Sequence, residues 1–199
     1  MVRFVRSVID ECEADIGIDW HGHRDRDLAV MNSLAAWDAG ATRLHGAALG
    51  IGERVGNTPM DLLLVNLVLM GERRADLEKL VPYCRLVAEA TGVPIPANYP
   101  VVGRDAFRTA TGVHAAAVIK ASRKGDPELM DAVYSGVPAG LVGREQEIDV
   151  GPMSGKSNVV YWLEHRGIEP TDELVDRIFS KAKAAGSVLS EAEIRTLLK

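Results

Sequence analysis

The stretch Asp19-Trp20-His21-Gly22-His23-Arg24-Asp25-Arg26-Asp27-Leu28-Ala29 sets two histidines one residue apart, where an apolar approach ends and a charged run begins. Residues i and i+2 of a strand project from one face, so both imidazoles can reach one ion if the strand ends here. Ile16-Gly17-Ile18-Asp19-Trp20 reads as a short buried strand. From about Asp25 to Asp38, Leu28, Met31, Leu34 and Ala35 fall on one helical stripe, and Gly40 marks its end. The pair therefore lies where a strand meets the loop before a helix, the functional edge of α/β proteins. On its own an H-x-H leaves two readings open, a pair of metal ligands or ordinary surface and core histidines.

Outward from this point the chain alternates. Val2 to Cys12 reads as a helix with Phe4, Val5, Val8 and Ile9 facing inward. A second strand-like stretch, Thr42-Arg43-Leu44-His45-Gly46-Ala47-Ala48-Leu49, follows the first helix after the histidines. A mostly apolar helix then opens at Thr58 and Pro59, and another runs from about Asp76 to Ala90. This order is the rhythm of a parallel α/β unit. The proline-rich Pro94-Ile95-Pro96-Ala97-Asn98-Tyr99-Pro100 reads as a linker. A helix over 111–122, a loop-rich stretch from Gly125 to Gly151 and three further helices come after it. The division expected is 1–92 for the α/β part and 93–199 for a mostly helical part. Two parallel strands neither close a barrel nor make a covered sheet, so the chain is expected to need a partner or to be part of a longer protein.

Composition narrows the function classes. The 199 residues are 47% hydrophobic and 26% charged with a net charge of −5, and no basic run is interleaved with aromatics. That speaks against a nucleic-acid or anionic-membrane surface. The most apolar run, Leu62 to Met70, is interrupted by Asn66 and too short to cross a bilayer. Cys12 and Cys84 match no metal or redox spacing and read as reduced thiols of a cytoplasmic protein without a signal peptide.

A second motif sharpens the first. Gly50-Ile51-Gly52-Glu53-Arg54-Val55-Gly56-Asn57 packs three glycines into a tight loop with a carboxylate, a guanidinium and an amide. Alone, it reads equally well as a structural strand-to-helix turn. Together, H-G-H-R-D and G-A-A-L-G-I-G-E-R-V-G-N resemble the 2-isopropylmalate synthase and homocitrate synthase family, TIM-barrel Claisen-type acyl-CoA synthases related to hydroxymethylglutaryl-CoA lyases. Thr111-Gly112-Val113-His114 through Lys120 resembles the family's S-G-I-H-x-x-x-x-x-K helix, and 142–159 resembles its second linker subdomain. The resemblance implies an α/β fold comprising the last two strands and helices of a (β/α)8 TIM barrel, followed by mostly helical linker subdomains.

The resemblance also implies roles. His21 and His23 match the histidine ligands of a divalent metal (Mg²⁺, Mn²⁺ or Zn²⁺), and Asn57 matches an amide-oxygen ligand of the same ion. His114 matches a histidine offered to the active site of the other subunit, and Tyr134 falls near a tyrosine beside it. The implied reaction condenses acetyl-CoA with a 2-oxo acid. 2-Oxoisovalerate, in leucine biosynthesis, is the first expectation, and 2-oxoglutarate, as in homocitrate synthase, the second. A homodimer or a complementing N-terminal barrel half is the expected partner, and the chain alone is expected to be inactive. One subunit of a split synthase, or a non-catalytic dimerisation or regulatory subunit, are the other readings.

Departures accompany the match. Arg24 replaces the family's Asn, Asp27 its Gly, and Leu49 stands where many members have Asn. The D-R-E stretch that supplies a metal-binding aspartate and a catalytic arginine has no counterpart, nor does the leucine-sensing domain of long family members. Gly151-Pro152-Met153-Ser154-Gly155-Lys156-Ser157 resembles a phosphate-binding loop but has three residues, not four, between its glycines. It reads more simply as the first turn of a helix over 157–165. His45 and His165 lack partners at ligand spacing and read as structural.

Overall fold

The computed structural model describes residues 1–198, which divide into two compact units, one from Met1 to Pro96 and one from Ala97 onward. In the first, α1 (Val2–Glu11) leads to β1 (Asp19–Trp20), α2 (Ala29–Asp38), β2 (Arg43–Leu44), α3 (Met60–Leu69) and α4 (Leu80–Thr91). The two strands pair in parallel, Asp19 with Arg43 and Trp20 with Leu44, so α2 is a crossover helix of the kind the alternating pattern predicts. The second strand is shorter than its sequence suggests. After Leu44 the chain leaves the sheet, and Ala48–Gly50 form a single tight 3₁₀ turn.

The helix faces differ from expectation in two places. In α2 the buried residues are Ala29, Ser33 and Ala36, while Leu28 and Met31 are exposed. Small side chains let α2 approach α3 and the strands closely, and the bulky stripe is left outside. In α1 only Ile9 is buried, and Phe4, Val5 and Val8 stand in solvent. Ile16, ahead of β1, is exposed too. By contrast α3 is covered as its all-round apolar sequence predicts, with Asp61, Leu63, Val65 and Leu67 buried and only its last turn open.

A buried polar joint holds this unit. The Ser33 and Thr58 hydroxyls share a hydrogen bond at 3.0 Å, both fully buried, and the Thr58 amide donates to the Gly22 carbonyl at 3.2 Å. Asp61, also fully buried, accepts the Leu49 amide at 2.7 Å.

In the second unit, β3 (Arg108–Thr109), α5 (Gly112–Arg123), α6 (Pro127–Ala132), β4 (Glu147–Ile148), α7 (Lys156–Glu164), α8 (Asp172–Lys183) and α9 (Glu191–Thr196) follow in order. The stretch 125–151 is not simply loop: it contains α6 and also β4, which pairs in parallel with β3. The sequence carries the first of these. Asp126 caps α6 by accepting the Leu129 amide, with Pro127 at the first helical position. Two-residue strands have no period to read. Ala115, Val118, Ile119 and Ile148 form one cluster, while Trp162, Leu163, Leu174, Ile178 and Ile194 anchor a larger one. The phosphate-loop-like segment is consumed internally. The Ser154 hydroxyl donates to Ala110 O, the Asn158 amide donates to Ala110 O and Asp149 O, and the Met153 carbonyl accepts the Gly112 amide. Among the described residues no helix is long and apolar enough to cross a membrane.

Burial fixes the chemistry of the cysteines. Cys84 is fully buried beside Asp61, and loss of solvent, reinforced by that carboxylate, pushes its thiol from 9.0 up to about 12. Cys12 is exposed. A thiol reagent at pH 8 should therefore titrate one thiol in the native chain and the second only on unfolding. The unfolded chain loses the Cys84 proton first, so this residue lowers stability as pH rises from about 9 to about 12, by at most about 1.4 kcal/mol per pH unit. Two equally reactive native thiols would contradict this.

Candidate metal centre

The two motifs are stitched together by backbone. The Arg24 amide donates to the Gly56 carbonyl at 3.2 Å, and the Asn57 amide donates to the Gly50 carbonyl at 2.9 Å. His23 and Asn57 face each other as an isolated antiparallel bridge. Gly56 makes this closure possible. Its φ is +98°, and a Cβ there would overlap the Gly50 carbonyl oxygen. Gly52 similarly leaves room for the Asn57 side-chain amide.

Two of the three candidate ligands have one polar atom tied to backbone and another left over. His23 Nδ1 lies 3.3 Å from the Gly56 carbonyl, which can only accept, so the proton sits on Nδ1 and Nε2 keeps its lone pair. The Asn57 side-chain nitrogen donates to Ile51 O at 3.1 Å, which assigns its other atom as an acceptor oxygen. The His21 ring lies edge-on to that of His23, with centroids 5.0 Å apart. His21 is exposed, and His23 and Asn57 are half-buried. Two imidazole nitrogens and an amide oxygen suit a borderline or hard divalent cation. The set is also incomplete. Among the described residues no three His, Cys, Asp or Glu side chains are placed together to hold a metal ion.

The departures from the family pattern fall on special backbone. Asp27, in place of glycine, has φ +55°, and Leu49, in place of asparagine, has φ +57°. Glycine and asparagine adopt this left-handed region readily and aspartate tolerates it, whereas for leucine it is a strained conformation. Leu49 is held there by the Asp61 hydrogen bond and by burial. Arg24 turns away to donate to Val55 O at 2.7 Å, closing the loop from the other side.

In the second unit the structure brings together His114 and Tyr134. The phenol oxygen and His114 Nδ1 share a hydrogen bond at 2.6 Å, and the rings stack with centroids 4.2 Å apart. His114 is half-buried in the first turn of α5 and Tyr134 half-exposed just beyond α6. The sequence missed one neighbour in the first unit. His45 comes within 5.7 Å of the His21 ring, a contact set by strand register rather than by spacing along the chain.

Residues 1–87 match the HMGL-like family model. The chain is 35% identical over 188 residues to a probable 2-isopropylmalate synthase of Methanopyrus kandleri, covering 94% of this chain and 36% of that protein. It is equally similar, 35% over 188 residues, to a homocitrate synthase of the same organism, 45% of which is covered. With an (R)-citramalate synthase of Aquifex aeolicus it shares 37% identity over 177 residues, 86% of this chain and 31% of the relative. The chain thus spans between about a third and a half of these relatives.

Two predictions test the loop. Gly56→Ala should cost about 2 kcal/mol or more, read as a drop in the melting temperature, since it adds both strain and overlap. The second concerns Arg54, which donates to both Asp25 oxygens at 3.0 and 3.1 Å and holds that carboxyl below the usual range. A depressed carboxyl contributes stability above its unfolded pKa and loses it as pH falls. In Arg54→Ala the Asp25 side chain, followed by NMR, should titrate at higher pH than in the wild type.

Proposed function

We propose that this chain, residues 1–87 of which match the HMGL-like family, is part of a TIM-barrel synthase condensing acetyl-CoA with a 2-oxo acid. The observation that carries the reading is the convergence of His21, His23 and Asn57 on one loop closure, with His23 Nε2 and the Asn57 amide oxygen left over. These three side chains would hold a divalent cation, Mg²⁺, Mn²⁺ or Zn²⁺. When bound, that cation supplies Lewis acidity toward the ketone of the 2-oxo acid.

The protein's own groups account for the remaining tasks. In the reaction the acetyl methyl group loses a proton, its carbon adds to the ketone carbon, and water then cleaves the thioester. His114 and Tyr134 share a hydrogen bond between an imidazole and a phenol, a pair able to pass a proton or orient that water. The partial exposure of His114 and the greater exposure of Tyr134 suit a role at the barrel mouth of a second subunit in a homodimer.

2-Oxoisovalerate, and hence leucine biosynthesis, is the first substrate to test, followed by 2-oxoglutarate. Relatives named for three different products match at 35 to 37% identity, which supports the shared condensation of acetyl-CoA with a 2-oxo acid.

A barrel assignment gives β1 and β2 the places of the last two barrel strands. Among the described residues β2 pairs only with β1, and beside it a cleft of about 670 Å³ is lined by Trp37, Leu44, Leu63, Leu64 and Leu67. We place the complementing N-terminal barrel half there, bringing the missing carboxylate ligand, in a cytoplasmic enzyme. Half-barrels expose strand edges and apolar helix faces, as Phe4, Val8 and Met31 do here.

The chain alone should therefore turn over acetyl-CoA negligibly with either acid. Supplied with the complementing half, as a fusion or in trans, it should release CoA, followed by a thiol reagent. His114→Ala should then lower turnover by about 10² or more with metal affinity unchanged. Turnover by the isolated chain, or full activity in His114→Ala, would refute the corresponding assignment. A complemented protein that binds metal and releases no CoA would favour the non-catalytic subunit.

A further inference from the structure

His45 has no part in the proposal above, yet its position is closely controlled. It follows β2 by one residue, and the register that pairs Asp19 with Arg43 sets it level with His21 on the adjacent strand. Alternation along a strand puts Asp19 with His21, and Arg43 with His45, on one face. Asp19 Oδ2 accepts from Arg43 Nη1 at 3.0 Å and lies 3.3 Å from His45 Nε2. Just beyond, Gly46 has no room for a side chain, because a Cβ would press on Met60 and the Thr58 carbonyl, and the Ala47 amide is tied to Thr58 O. The His45 ring thus meets a carboxylate on one side and follows a pinned backbone on the other.

What that ring touches is His21. The centroids are 5.7 Å apart at 64°, and His23 lies at 5.0 Å and 87° on His21 as well. The candidate ligands differ in how they are held. His23 and Asn57 are each anchored by a backbone carbonyl, whereas among the described residues no protein group hydrogen-bonds the exposed His21 ring. Its contacts are the rings of His23 and His45. Metal-binding histidines usually gain orientation from an outer partner, and removing such partners weakens metal binding about 10- to 100-fold.

We infer that His45, locked by Asp19 and Arg43, is a positioning residue that braces the His21 ring for metal binding without itself ligating the ion. The inference rests on the ligand assignment above, and the two can fail separately.

The test titrates the full chain with Mn²⁺ by electron paramagnetic resonance, and with Co²⁺ by visible absorption. Wild type, His21→Ala and His45→Ala are compared, each with a melting curve. The inference predicts that His21→Ala loses most affinity. His45→Ala should lose about tenfold and change the Co²⁺ spectrum, while melting as wild type does. If His21→Ala binds less tightly and His45→Ala binds as wild type does, the brace is overturned and the ligand assignment stands. If His21→Ala binds as wild type does, both fall. Should His45→Ala unfold, Asp19→Ala frees the same ring from its lock: weaker Mn²⁺ binding by the folded variant supports the brace, and wild-type affinity overturns it.

Discussion

The candidate centre depends on a close backbone approach between two loops. The Gly22 and Gly56 carbonyls accept the Thr58 and Arg24 amides, so the segment carrying His21 and His23 lies against the one carrying Asn57. Neither loop could reach this geometry with a side chain at Gly56, where a Cβ would occupy the Gly50 carbonyl oxygen. Backbone also sets the direction of two candidate ligands, through the Gly56 and Ile51 carbonyls. An ion would therefore meet groups already oriented, and part of the ordering cost is met by folding.

That approach is supported from beneath. Ser33, Thr58 and Asp61 are fully buried polar residues in a unit otherwise packed with aliphatic side chains. Buried polar groups are costly unless paired, and these are paired across elements: Ser33 to Thr58, and Asp61 to the Leu49 amide. Their partners lie on α2, the loop and α3, so one set of hydrogen bonds holds helix, loop and helix in register. Leu49 keeps a left-handed backbone at a position where many relatives use asparagine because its amide and side chain are both held. For leucine that conformation carries strain.

The second unit joins its own elements in a different way. Arg108 makes a bidentate pair with Asp149 across the β3–β4 contact, and Arg144 donates to the carbonyls of Val101, Gly103 and Arg104. The Asp149 hydrogen bonds, helped by the nearby Glu147 and Asp105 carboxylates, raise the Arg108 guanidinium above its ordinary range against the opposing effect of burial. Asn158 and Ser154 gather the ends of both short strands onto the start of α7. The frame is polar where strands are too short to be stabilised by a ladder, and apolar where α7, α8 and α9 pack. His114 lies in the first turn of α5 and Tyr134 just beyond α6, two helices that pack on each other.

By itself the sequence determined the types of donor atom and the order of helices and strands in the first unit. The capping pairs Thr171 with Leu174, and Ser190 with Glu193, are local and therefore legible. The match of both motifs to one family was legible for the same reason, since each is a contiguous run. Tertiary structure decided which faces are covered. Periodicity finds the apolar stripes of α1 and α2 but not the presence of neighbours, so Phe4, Val8, Leu28 and Met31 were assigned to a core that the chain does not build around them. It also decided which histidines meet. The pairing of His45 with His21 is a matter of parallel register between strands two dozen residues apart, and no spacing along the chain encodes it. Local chemistry is written in adjacent residues, whereas contact across strands exists only once hydrogen bonds have fixed how the strands align.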